Sequence, residues 1–217
     1  MSTEEEAGTA SPARRMRADA VRTRKALLKA AAEVFAEHGT EGSVAQIATR
    51  AGIGKGTVFR HFPTKEDLLA AIIGEVIDGL VAEGRRQAEQ TDADAALLQF
   101  MSAGVDLYVS NRAFVEALRT VPDLRHPEIQ AGWEQLIATA ESLARRARRD
   151  GSLRADMNGQ DVMLLICGVY YTAVPLLAAD PSAWRRYLHL TFDGMRATGT
   201  QPLPPALFQG PLLPTVR

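Results

Sequence analysis

Residues 43–65, from Ser43 to Lys65, read S-V-A-Q-I-A-T-R-A-G-I-G-K-G-T-V-F-R-H-F-P-T-K. Ser43 is a residue type that caps helix N-termini. Val44, Ile47 and Ala48 then recur on one helical face, and Gly52 stops the helix after Ala51. A second short helix covers about Lys55 to His61 and ends before Pro63. Two short helices separated by Gly52-Ile53-Gly54 form a helix-turn-helix pattern. The small turn residues let the helices cross closely, and the second helix is short enough to lie in a DNA major groove. Val58 and Phe62 are expected to anchor that helix, leaving Lys55, Thr57, Phe59, Arg60 and His61 available to DNA. Lys55, Gly56 and Thr57 open it, where unpaired backbone N–H groups and the helix dipole favour a phosphate. Gly56 lets a backbone approach with no Cβ in the way.

Outward from this stretch the chain reads as helix after helix. No segment combines period-2 alternation with β-branched enrichment, so no strand is expected. Upstream, Leu27, Leu28, Ala31, Val34 and Phe35 form the apolar stripe of a helix from about Asp19 to His38, stopped by Gly39. Downstream, Thr64 and Asp67 form a capping-box pair for a helix running to about Gln87. That helix carries a stripe wide enough to touch two neighbours, and it connects the basic block to the rest. Further helices are expected at about 92–110, 112–119, 127–149, 159–178 and 182–198. Pro127 marks a first helical turn, Gly151 a helix end, and Asn158 with Asp161 a cap. Residues 1–18 are expected to be a disordered arm. Residues 199–217, with five prolines, read as a disordered or loosely docked tail. The expected organisation is therefore a helix-turn-helix domain at 19–64, a helical domain at 65–198 whose first element is 65–87, and two flexible ends.

The 217 residues carry a net charge of −1, which excludes a uniformly basic coat. The charge is unevenly spread. Residues 13–65 hold 11 Lys/Arg against 4 Asp/Glu, while residues 66–217 hold 14 against 19. A basic block joined to an acidic remainder suggests a polyanion-binding module attached to something else. The one cysteine, Cys167, excludes a disulfide framework and a cysteine-rich zinc site within the chain. No apolar run reaches the roughly 18 residues of a membrane span, and the start of the chain is not a secretory signal. A reducing cytoplasm fits best.

Residues 20–68 resemble the DNA-binding domain of the TetR family of transcriptional regulators. The resemblance rests on K-A-L-L-K-A-A-A-E-V-F-A-E-H-G-T, the stretch quoted above, and K-E-D-L, which together contain G-x-x-K-G-T-x-[YF]-x-[HY]-F-x-[ST]-K-E-x-L. It covers roughly the first third of the chain. It implies a prokaryotic, all-α homodimer with a three-helix DNA-binding domain, a connecting fourth helix, and a C-terminal domain that binds ligand and dimerises. By resemblance, Lys55 and Gly56 take base- and phosphate-touching positions and Thr57 a backbone-contacting one. Phe59 and His61 take aromatic phosphate-reaching positions, and Lys65 a phosphate contact. Ser43 reaches a phosphate from the flanking side, and Arg60 stands where bases are read and where an Arg suits guanine. Phe59 departs from the family, which usually has Tyr there.

The implied function is a ligand-responsive regulator, a repressor that binds a palindromic operator and is released by an unknown small-molecule effector. The competing reading is an architectural or protein-switched DNA-binding dimer. No enzyme signature stands out, and no cofactor is expected. His61 has no partner at ligand spacing, so no metal is expected either. Phe100, Met101, Tyr108, Phe114, Trp133, Tyr170 and Tyr171 are candidates to line the effector cavity. Val162, Leu165, Gly168, Val169, Trp184, Leu188 and Phe192 are candidates for the dimer interface. Cys167 reads as an inert core thiol. Arg145, Arg146, Arg148 and Arg149 read as the solvated last turn of a long helix. For Arg14, Arg15 and Arg17, a minor-groove arm and an ordinary solvated tail both remain open.

Overall fold

The computed structural model of the chain describes residues 12–120, 126–197 and 201–204. Among them are nine α-helices and no strand, in agreement with the all-α reading. The helices are α1 (Pro12–His38), α2 (Val44–Ala51), α3 (Lys55–His61), α4 (Lys65–Ala88), α5 (Ala93–Ser110), α6 (Arg112–Thr120), α7 (Pro127–Arg149), α8 (Gly159–Ala173) and α9 (Trp184–Met195). The chain divides into two compact units between Leu68 and Leu69, within the first turn of α4.

In the first unit, α1 supplies Leu27, Leu28, Ala31, Val34 and Phe35, all buried against Ile47, Ala48, Val58 and Phe62. Fully burying a side chain such as Phe35 contributes about 1.5–3 kcal/mol. A short 3-10 turn, Gly39–Glu41, links α1 to α2. Gly42 then passes so close to α1 that a Cβ there would sit 2.9 Å from Val34 Cγ1. Only glycine fits that crossing without displacing core. Ser43 caps α2 through a complete capping box with Gln46. Gly52 ends it in the left-handed conformation, φ 66°, where a side chain costs about 1–2 kcal/mol.

α1 begins at Pro12, seven residues before the expected Asp19. The residues between have no apolar stripe because they overhang the core, so periodicity does not reveal them. Pro12 starts the helix, as suits a first-turn proline. Residues 1–11 lie outside the described part.

In the second unit, α5, α7, α8 and α9 bury a continuous apolar core that includes Phe100, Met101, Trp133, Leu136, Ile166, Trp184 and Phe192. α8 ends at Ala173 and passes into a 3-10 turn, Val174–Leu176, rather than continuing to 178. Pro175 has no N–H to continue the helical ladder. The window Gly159–Leu176 has a mean hydropathy of 1.2 and is long and apolar enough to cross a membrane by length and composition alone. It includes Gln160 and Asp161, so it is not an unbroken apolar run, and Val162, Ile166 and Val169 pack in the core of this unit. Of the Pro-rich tail, residues 201–204 are described and docked: Leu203 N–H donates to Asp156 Oδ2 (2.8 Å) and Arg154 donates to the Gln201 carbonyl (2.8 Å). Residues 205–217 lie outside the described part.

The arginine cluster at the end of α7 differs from its expected solvated state. Arg146 donates to the carbonyls of Ala88 (2.6 Å) and Gln90, closing the C-terminus of α4. Arg148 donates to Met157 O (2.5 Å) and to Glu141 Oε1 (2.7 Å). Burial pushes the Glu141 carboxyl up, but bonds from Arg148 and the Gly159 N–H, with the charges of Arg148 and Arg145, hold it below its ordinary value. Both arginines are half-buried; Arg146 fastens α7 to the end of α4, and Arg148 ties α7 to the loop before α8. Arg145 and Arg149 are exposed.

Candidate nucleic-acid interface

α3 divides cleanly by side. Val58 and Phe62 are 1% and 2% exposed and anchor it. Lys55, Gly56, Phe59 and Arg60 are exposed, and Thr57 and His61 half-buried. Phe59 is 49% exposed, so about half of its ring faces outward from α3. Arg60 Nη2 donates to Thr57 Oγ1 (2.9 Å), so the hydroxyl one turn back orients the guanidinium. That coupling was missed in the sequence, although the spacing of three residues on a helix signals it. A Cβ on Gly56 would meet nothing within 4 Å, so nothing in the chain's own packing requires glycine there.

Around α3 the charges are sorted. Arg50 on α2 makes a bidentate pair with Glu37 (2.6 and 2.7 Å), with Glu33 at 3.8 Å. This cation is spent stapling α2 to α1. The Arg50 hydrogen bond holds the Glu37 carboxyl below its ordinary range. Lys55 and Arg60, by contrast, have no ion pair among the described residues. The Ser43 hydroxyl lies in the capping box, receiving the Gln46 N–H at 3.2 Å. Lys65, half-buried at the start of α4, places its ammonium 5.5 Å from the Phe35 ring centroid.

The seven cavity candidates fall into three environments. Tyr108, Phe114 and Tyr170 form a cluster, with Tyr108 centred 5.2 Å from Phe114 and 5.1 Å from Tyr170. Tyr108 Oη lies 3.2 Å from Cys167 Sγ. Burial pushes both the phenol and the thiol up, so the thiol stays protonated and poorly nucleophilic. Trp133 is 4% exposed, and its indole N–H is buried without a hydrogen-bond partner. Trp133 lies on α7, which packs against α5 and α8, the helices that carry Tyr108, Cys167 and Tyr170. A Cβ at Gly159 would touch Glu141, and Glu141 and Trp133 are eight residues apart on α7. The same eight steps along the antiparallel α8 lead from Gly159 to Cys167. Phe100 and Met101 are fully buried core further down α5. Tyr171 is 46% exposed and meets Tyr170 edge-on, with ring centroids 5.1 Å apart.

Most of the dimer-interface candidates are occupied within the subunit. Val162, Val169, Trp184, Leu188 and Phe192 are buried in the subunit's own core. Leu165 and Gly168 remain on the outer face of α8. Beside them the outer face of α8 and α9 exposes Leu164, Tyr171 and Leu190, which the sequence reading missed. Two adjoining hollows of about 410 and 360 Å³ lie there and share Leu165, Leu190 and Thr191. Among the described residues no group of three or more His, Cys, Asp or Glu is gathered as for a metal.

Two family models match separate parts of the chain. The model for bacterial regulatory proteins of the tetR family matches residues 27–72. The C-terminal domain model of the SbtR-like transcriptional regulators matches residues 92–197. The "HTH-type transcriptional repressor LfrR" of Mycolicibacterium smegmatis is 39% identical over 87 residues, 40% of this chain and 46% of that protein. The chain thus spans less than half the length of that relative. The "Putative mycofactocin biosynthesis transcriptional regulator MftR" of Mycobacterium tuberculosis is 30% identical over 160 residues, 70% of this chain and 78% of that one. The crystal structure of a TetR transcription regulatory protein from Mycobacterium vanbaalenii is 29% identical. It superposes with a TM-score of 0.61 over 83% of this chain and 99% of its own.

Proposed function

This chain belongs to the tetR family of bacterial regulatory proteins, which are transcriptional regulators and not enzymes, and on that premise we propose that it is a repressor. It binds a palindromic operator as a homodimer and lets go when a small molecule occupies the second unit. The carrying observation is α3, which buries Val58 and Phe62 and turns Lys55, Phe59 and Arg60 outward, while Arg50 on α2 is paired with Glu37.

In this reading Lys55 and Arg60 reach base edges, with Thr57 fixing the rotamer of Arg60. Gly56 takes the closest approach of the sugar-phosphate backbone. Ser43, Phe59, His61 and Lys65 line the phosphate walls and set the register without reading sequence. The outer face of α8 and α9 meets its copy across a two-fold axis, each subunit's Leu164, Leu190 and Tyr171 filling hollows of the other. The effector enters beside Tyr108, Phe114, Tyr170 and Trp133. Gln87 is the one buried polar or charged residue among those described, so the effector is a neutral, mostly apolar molecule. The idle Trp133 N–H supplies its anchoring hydrogen bond. A tenfold preference of the effector for the released form shifts the equilibrium by about 1.4 kcal/mol, and α4 carries that shift.

Gel shift with a labelled duplex from the region upstream of the protein's own gene tests the operator reading. A specific complex with Kd about 10⁻⁸–10⁻¹¹ M and at least ~10³-fold weaker binding to a scrambled duplex is expected. Equal affinity for both duplexes overturns it.

A further inference from the structure

α1 is longer than its core requires. Its first buried side chain is Leu27, and every described side chain from Arg14 to Arg22 is exposed. The eleven residues Pro12–Arg22 form an overhang of about 16 Å, at ~1.5 Å per residue.

One face of this overhang is continuous with the core. Residues three and four apart stack along a helix, so Phe35, Ala31, Leu28, Arg24, Val21, Arg17 and Arg14 share one line. The line is buried at Phe35, Ala31 and Leu28. At Arg24 the guanidinium lies 4.6 Å from the ring centroid of Phe62, the residue that closes α3. Beyond Arg24 the line runs outward past the C-terminal end of α3 as Val21, Arg17 and Arg14. Neither of these last two arginines has an ion pair among the described residues. The face that meets α3 thus changes from apolar to cationic where the unit's own surface ends. Another line holds Arg15 and Arg22, with Arg22 3.4 Å from Asp19.

The helix dipole does not favour cations at the start of α1. The first turn of α1 holds no acidic residue, and cations near a helix N-terminus oppose its dipole. A cationic line on a rod that begins at the end of α3 is matched by a polyanionic rod lying against α3.

We propose that the α1 overhang is a second DNA-contacting element, in which Arg14 and Arg17 hold phosphates flanking the half-site. The inference rests on the reading of α3 as a DNA-binding helix. Because the segment is helical, it lies along the outside of the duplex and does not thread the minor groove as an extended arm. Its length corresponds to about five base pairs of flank, at ~3.4 Å each.

The test uses the full chain and a site that it has itself selected from a random-sequence pool, placed in duplexes with flanks of two or ten base pairs. Affinity is measured against salt for the parent, for R14A/R17A and for R15A/R22A, two variants that lose equal charge at exposed positions. The parent is expected to bind the long-flanked duplex more tightly and with the steeper salt slope. R14A/R17A loses that gain, its slope becoming shallower by about 0.9 per lost contact and up to about 3.6 per dimer. R15A/R22A keeps it. Equal slopes for the two variants mean diffuse attraction and overturn the proposal, as does a parent indifferent to flank length. A parent that selects no site overturns the reading of α3 itself, and this inference with it. Circular dichroism of each variant confirms that the helix persists.

Discussion

Gly56→Ala separates a residue kept for DNA from one kept for the fold, because the two effects have opposite signs. A Cβ at position 56 meets nothing within 4 Å, and α3 is helical through this residue. In the free protein the alanine therefore fits without strain. By restricting the unfolded chain it stabilises the first unit by about 0.4–1 kcal/mol. On DNA the same methyl stands between α3 and the sugar-phosphate backbone. Forcing one methyl into a packed contact costs about 1–3 kcal/mol, or about 5- to 150-fold in affinity for each subunit. Urea unfolding followed by circular dichroism reads the first effect, and anisotropy of a labelled duplex reads the second. A higher urea midpoint with weaker binding is expected. Unchanged affinity would refute the close approach, and a lower midpoint would show that glycine is needed by the fold.

Phe59→Tyr adds an exposed hydroxyl that can donate to a phosphate. Operator and scrambled duplex should both be bound more tightly, by at most about 1.5–3 kcal/mol, with their ratio unchanged; weaker operator binding would make Phe59 a base-reading residue. Arg60→Ala should relax the choice of one base pair per half-site at a cost of about 1–3 kcal/mol, and Thr57→Val should reproduce part of that loss by releasing the guanidinium; binding-site selection by each variant checks both. Leu190→Glu places a charge on the apolar outer face of α8 and α9, where Leu190 is 56% exposed, and should leave folded monomers in sedimentation; an intact dimer would remove this face from the interface. Arg146→Met keeps the aliphatic stem but strands the last carbonyls of α4, and should cost about 1.5–3 kcal/mol in denaturant unfolding.

Legibility in the sequence followed physical range. Features set by neighbours in the chain were readable: α7 starts at Pro127 and ends before Gly151, Ser43 caps α2, and the Asn158–Asp161 box caps α8. The start of α1 was not, because an overhang buries nothing and so has no apolar period. α8 is apolar on two faces, and composition does not say which one its own subunit covers. Val162, Ile166, Val169 and Ala173 went inward, while Leu164, Leu165 and Gly168 were left out. Arg146 reaches carbonyls 56 and 58 residues away, so its sequence neighbours suggested only a solvated helix end. At the candidate interface, the outward residues of α3 followed from where Val58 and Phe62 had to point. The charge sorting did not, since it depends on Arg50 meeting Glu37 across two helices.

The central claim is that two copies of α3 read one symmetric DNA site. Binding-site selection by the 217-residue chain from a random duplex pool, followed by footprinting of the selected sequence, tests it most directly. The account predicts a two-fold symmetric motif with half-sites centred one helical turn, about 34–36 Å, or a multiple of it apart. It also predicts that Arg60→Ala loses one base preference in each half at the same symmetric position. A pool that stays random, or a single asymmetric motif protected by one subunit, would contradict it.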